Sequence, residues 1–151
     1  MIVALTLHLL SAVIWVGGMF FAYMALRPVA AEILEPPIRL RLWRDVFSRF
    51  FPWVSIAVLL LLGTGLWMIF GFFGGMGNTR PYIHVMLLLG LIMMAIYGHV
   101  LFVPYKRLSR AVAAENWPEG GAQLGTIRKL IALNLSLGLI VVVVAAGGRY
   151  F

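Results

Sequence analysis

Four stretches of this chain are too long and too apolar to fold in water. They run from Met1 to about Leu26, from Phe51 to about Phe73, from Pro81 to about Tyr105, and from near Ile127 to Gly147. Each supplies roughly the 20 apolar residues that an α-helix needs to cross the hydrocarbon of a bilayer. A backbone in lipid must satisfy its own hydrogen bonds, and a helix does so within one segment. The expectation is therefore an all-α integral membrane protein, a single transmembrane domain folded as a four-transmembrane-helix bundle. Of its 151 residues, 63% are hydrophobic and 11% charged, so the spans leave no room for a soluble domain. The first run lacks a basic leader and a small-residue cleavage site, and reads as a retained span rather than a signal peptide.

The charges then orient the bundle. Arg27, Arg39, Arg41, Arg44 and Arg49 fall between the first and second runs; Lys106, Arg107, Arg110, Arg128 and Lys129 fall between the third and fourth. Ten of the twelve basic residues thus share one side, which the positive-inside tendency assigns to the cytoplasm. Both termini are then extracytoplasmic, an N-out/C-out arrangement in a cell inner membrane, with the termini in the periplasm where there is one. The net charge of +7 is accounted for by loops facing anionic headgroups, with no call for nucleic acid. The stretch EPPIRLRLWRDVFSRFF mixes Ile38, Leu42, Trp43, Val46 and Phe47 with four arginines, a pattern suited to a short interfacial helix in the cytoplasmic leaflet.

An ionisable residue inside a span is costly and is by default a functional candidate. All three histidines lie in predicted spans. His8 and His84 each fall about 6 to 11 Å inside the outer boundary, at 1.5 Å per residue. His99 follows His84 by about 22 Å along the same helix, rotated by only about 60°. A pair of imidazoles on different helices at matched depth suits axial ligation of haem b, with His8 and His84 as the ligands and His99 as a ligand to a second haem completed by another subunit. Gly17, Gly18, Gly63, Gly65, Gly90 and Gly98 offer room for a porphyrin slot. Arg80 and Arg149, with Tyr82 and Tyr150, are placed to meet propionates, and Trp15, two turns below His8, to wall the site.

Each of these has a plainer alternative. Arg80 and Arg149 are also ordinary helix-end anchors, Trp15 a packing aromatic, and the glycines a means of close helix approach. Asn134 and Ser136 lie near the depth of His99 and would hydrogen-bond its ring if His99 were structural. Copper is the other inorganic reading, since eight methionines and three histidines are ligand types for Cu(I) or Cu(II). There is no cysteine, which excludes thiolate sites and disulfides within the chain. No span carries paired carboxylates, and neither a phosphate loop nor an HExxH motif is present.

The stretches LHLLSAVIWVGGMFFAYMALRP, YIHVMLLLGLIMMAIYGHVLFVPYKRLSR and IRKLIALNLSLGLIVVVVAAGGRY resemble the first, third and final helices of the CopD-like and HemJ-like group of small bacterial membrane proteins. The HemJ-type resemblance implies haem-b binding at His8 and a protoporphyrinogen oxidase activity. Where that group has a functional lysine two residues after the third-span histidine, this chain has Met86, and a thioether supplies no charged amine. The CopD-type resemblance implies copper uptake or resistance. The expectation drawn from all of this is a homodimeric haem-b protein with a redox or electron-transfer role, an oxidoreductase working with a quinone or a periplasmic redox partner. The alternatives are a copper transport or resistance protein and a purely structural subunit.

Overall fold

The structure is a computed structural model, and it describes residues 1–150 apart from the side chain of Arg149. Six α-helices make up the bundle. Helix α1 (Ile2–Phe21) passes through one π-helical turn (Ala22–Leu26) into α2 (Arg27–Ile33), and α3 (Pro36–Trp67) ends in a second π-helical turn (Met68–Phe72). A short loop with one 3₁₀ turn (Met76–Asn78) leads to α4 (Pro81–Phe102), which is followed by α5 (Pro104–Ala113) and α6 (Trp117–Gly147). Four of these helices, α3 to α6, carry proline in the first turn, where its missing N–H would have had no intrahelical partner. At the start of α6 the Asn116 side chain also accepts from the Glu119 amide at 3.3 Å. Gly74 (φ 75°) and Gly75 (φ 111°) make the left-handed turn that closes the loop between α3 and α4.

Four helical stretches are long and apolar enough to cross a membrane: Ile2–Ile33, Pro36–Phe72, Pro81–Ala113 and Trp117–Gly147. Their outer surfaces bear Ile2, Val13, Trp53, Leu59, Leu88 and Val143, all largely exposed. An apolar surface this extensive is stable only in lipid. The expected all-α four-span membrane bundle is what the chain forms.

Helix α1 packs along α3, α4 and α5 pack along α6, and α6 also meets α3 and α1. The core is aromatic. Trp43, Phe47 and Phe51, four residues apart on α3, follow one another with ring centroids 5.2 and 5.0 Å apart. Tyr97 of α4 stands edge-on to Phe51 at 5.7 Å and to Trp15 at 6.0 Å, and its hydroxyl donates to the Phe51 carbonyl at 2.9 Å. Tyr105 of α5 meets Phe51 edge-on at 5.0 Å.

That ladder corrects one expectation. The arginine-rich segment is not a separate interfacial helix; it is the first half of α3, continuous with the span through Pro52. Its inner face, Leu40, Trp43 and Phe47, is buried against the other helices rather than laid in the leaflet, while Ile38 is exposed. Pro52 lies inside α3 on its exposed side, and the helix runs on through it.

An amphipathic helix does exist, but after the third span. Val103, which precedes Pro104, breaks α4 with φ −118° and ψ −82°. Helix α5 then buries Leu108, Ala111 and Val112 and exposes Lys106, Arg107 and Arg110.

Candidate functional site

The histidines occupy three separate settings. His8, half-buried on α1, sits against α3 with its Nδ1 2.8 Å from the Thr64 hydroxyl. That hydroxyl has one proton, and it is donated to the Leu60 carbonyl. With that proton on Leu60, the oxygen accepts from His8, an arrangement that corresponds to the Nδ1–H tautomer with the lone pair on Nε2. Gly65 makes room for the ring: a Cβ there would lie 3.3 Å from His8 Cε1.

His84 lies in the first turns of α4, exposed, with Nε2 3.0 Å from both the Thr79 hydroxyl and the Met76 carbonyl. Thr79 donates its own proton to the same carbonyl at 2.8 Å. The proton of His84 is accordingly on Nε2, shared between the two acceptors, and its lone pair is on Nδ1. The ring thereby ties the turn at residues 76–79 to α4. His99 is exposed near the end of α4. Asn134 donates to the Met93 carbonyl at 3.3 Å and Ser136 to the Ala132 carbonyl at 2.9 Å, while the buried Asn134 Oδ1 has no partner among the described residues.

Trp15, 3% exposed, is a core aromatic against Tyr97, in keeping with the plainer alternative. Arg80 is exposed at the N-cap of α4, and the Arg149 side chain lies outside the described residues. The structure brings His8 together with Thr64 and Gly65 of α3, and His84 with the loop at residues 76–79, rather than joining the two rings in one contact. Among the described residues, no three His, Asp or Glu side chains gather closely enough to hold a metal ion.

The glycines named for a porphyrin slot fall into two groups. Phe50 lies over Gly18, His8 over Gly65, and Gly17, Gly63, Gly90 and Gly98 face nothing within 4 Å. Small residues here let helices and rings approach, or lie on the outer surface, as packing in lipid favours.

Thr64 escaped the sequence reading. Its signal is a hydroxyl between two glycines in the otherwise apolar LLLLGTGLW. Only the meeting of α1 with α3 shows what it holds.

These features define a multi-pass helical membrane protein with two imidazoles held through one ring nitrogen each, His8 by the Thr64 hydroxyl and His84 by the Thr79 hydroxyl and the Met76 carbonyl. Residues 44–147 match the family CopD, described as Copper resistance protein D. The match takes in most of the chain, and the chain belongs to that family. It includes Thr64, Arg80, His84 and His99 and begins after His8 and Trp15. No curated protein and no solved structure matches the chain.

Proposed function

We propose that this protein handles copper as cargo at the membrane, with His84 as the receiving ligand at the loop end of the bundle and His8 as a deeper ligand on α1. The observation that carries this reading is that each of the two rings is held on the protein through one nitrogen. That leaves the other nitrogen of each ring for a ligand, as in metal-bound histidines. Membership of the copper-resistance family supplies the cargo. Cu(I) takes imidazole nitrogen and thioether sulfur, and Met76 belongs to the turn whose carbonyl holds His84. We place the arginine-rich end toward the cytoplasm, so that copper is met on the opposite face. The haem-b reading does not lead here, because the family match speaks for copper and nothing in it speaks for haem.

The test is Cu(I) retention by the purified protein against a chromophoric chelator, with a pyridine haemochrome assay on the same preparation made with ample haem. Stoichiometric copper, reduced in His84→Ala and abolished in the His8→Ala/His84→Ala pair, is expected. Undiminished copper in that double variant sinks the proposal. A Soret band with a b-type α-band, lost in His8→Ala, would replace it with the haem reading.

A further inference from the structure

The arginine-rich end of the bundle holds a cavity of about 340 Å³ between the α1–α2 segment, α3 and α6. Three guanidinium-bearing side chains line it, Arg27, Arg39 and Arg128, together with the rings of Tyr23, Trp43 and Trp117, and no aspartate or glutamate does. The ion pairs among the described residues lie elsewhere, Arg41 with Glu115 and Arg44 with Asp45. The guanidiniums of the cavity are largely unspent. Arg27 uses one donor on the Tyr23 carbonyl at 3.3 Å and lies 4.4 Å over the Tyr23 ring; Arg39 uses one on the Ala31 carbonyl at 3.3 Å. Arg128 makes no hydrogen bond or ion pair with any described residue.

Each arginine has five donors in a planar fork matched to phosphate. Three such groups around one volume repel one another unless an anion lies between them. The cavity is also apolar in its walls, where Leu40 and Ile127 join the aromatic rings, and its size falls within the range of small-molecule sites, roughly 300 to 1,000 Å³. Three guanidiniums in the lining, apolar walls and a position at the arginine-rich end of the bundle match an amphiphile with an anionic phosphate head.

We propose that this cavity binds the phosphate headgroup of an anionic phospholipid drawn from the adjoining leaflet. The site is distinct from the histidines and does not depend on the copper reading. The shared chemistry with a free phosphate ion is the phosphate oxygen, and the source is separated by experiment.

Full-length protein in phosphatidylcholine nanodiscs doped with phosphatidylglycerol is released into the gas phase, and retained lipid is counted by native mass spectrometry. Wild type should retain phosphatidylglycerol in preference to phosphatidylcholine. Arg27→Gln, Arg39→Gln and Arg128→Gln should each weaken retention about fivefold, from about 1 kcal/mol per basic residue near a lipid surface. Arg49→Gln, at an exposed arginine outside the cavity, and His84→Ala should leave it unchanged. Arg128 is exposed, so its variant tests the site even if Arg27→Gln fails to fold. Equal loss in Arg49→Gln, or no preference for the anionic lipid, overturns the proposal. So does displacement of the lipid by inorganic phosphate that also binds in pure phosphatidylcholine nanodiscs, since the source is then the free ion.

Discussion

Thr64 is the residue on which the candidate site turns, because one hydroxyl decides which nitrogen of His8 carries a lone pair. Replacing it with valine keeps the shape and removes both the acceptor for His8 Nδ1–H and the bond to Leu60. The ring is then free to change tautomer and to rotate. Loss of a hydrogen-bond partner behind a metal-bound histidine typically costs about 10- to 100-fold in affinity. Thr64→Val is expected to fold like wild type and to bind Cu(I) more weakly by that factor in chelator competition, with Thr64→Ser restoring most of it. Unchanged affinity in Thr64→Val would show that the hydroxyl serves packing alone.

At the scale of elements, α5 is the piece most dependent on its partners. Ten residues are too few for a stable isolated helix, so α5 forms because Leu108, fully buried, docks it on the bundle. Leu108→Ala should cost about 2 to 5 kcal/mol, read as a lower midpoint in denaturant unfolding in detergent, with proteolysis first at α5. Glycines on two other helices test how tightly the spans are set. A Cβ at Gly138 of α6 would lie 2.9 Å from Val16 Cγ2 of α1 and 3.1 Å from Met93 Cε of α4, whereas Gly63 of α3 faces open space. Gly138→Val is expected to destabilise by about 1 to 3 kcal/mol through overpacking. Gly63→Ala, by contrast, should be neutral or gain up to about 1 kcal/mol from helix propensity. Equal effects at the two sites would mean that α6 does not pack closely against α1 and α4.

For the whole molecule the open matter is which end faces the cytoplasm, and the absence of native cysteine makes it easy to ask. The loop between α3 and α4 and the turn between α5 and α6 lie at opposite ends of the spans. With ten of twelve basic residues at the second end, the positive-inside tendency predicts that Asn78→Cys reacts with a membrane-impermeant maleimide in intact cells or spheroplasts. Glu115→Cys should react only after permeabilisation. The reverse pattern would invert the bundle and put the arginine cavity on the outer face.

How much of this was legible beforehand follows from the range of each interaction. Hydropathy summed over about 20 residues is a local property, so the four spans and the all-helical class could be read from sequence. Short stretches of the first, third and fourth spans likewise carried the resemblance to the CopD-like and HemJ-like group, and the chain belongs to the CopD family. The continuity of α3 was not legible, because EPPIRLRLWRDVFSRFF has the composition of an interfacial helix and only its burial against distant rings such as Tyr105 keeps it in line with the span. His8 and His84 were singled out from one-dimensional depth alone. Their actual partners, Thr64 for the first and the turn at residues 76–79 for the second, depend on which helix stands beside which, and depth along an axis carries no information about that. The same holds for Arg27, Arg39 and Arg128, which read in sequence as scattered loop charges and become a cavity only when α1, α3 and α6 meet. Sequence alone determined that this chain lives in a membrane and how often it crosses. Tertiary structure decided which polar groups meet there, because in lipid those meetings are set by side-chain packing between helices distant in the chain.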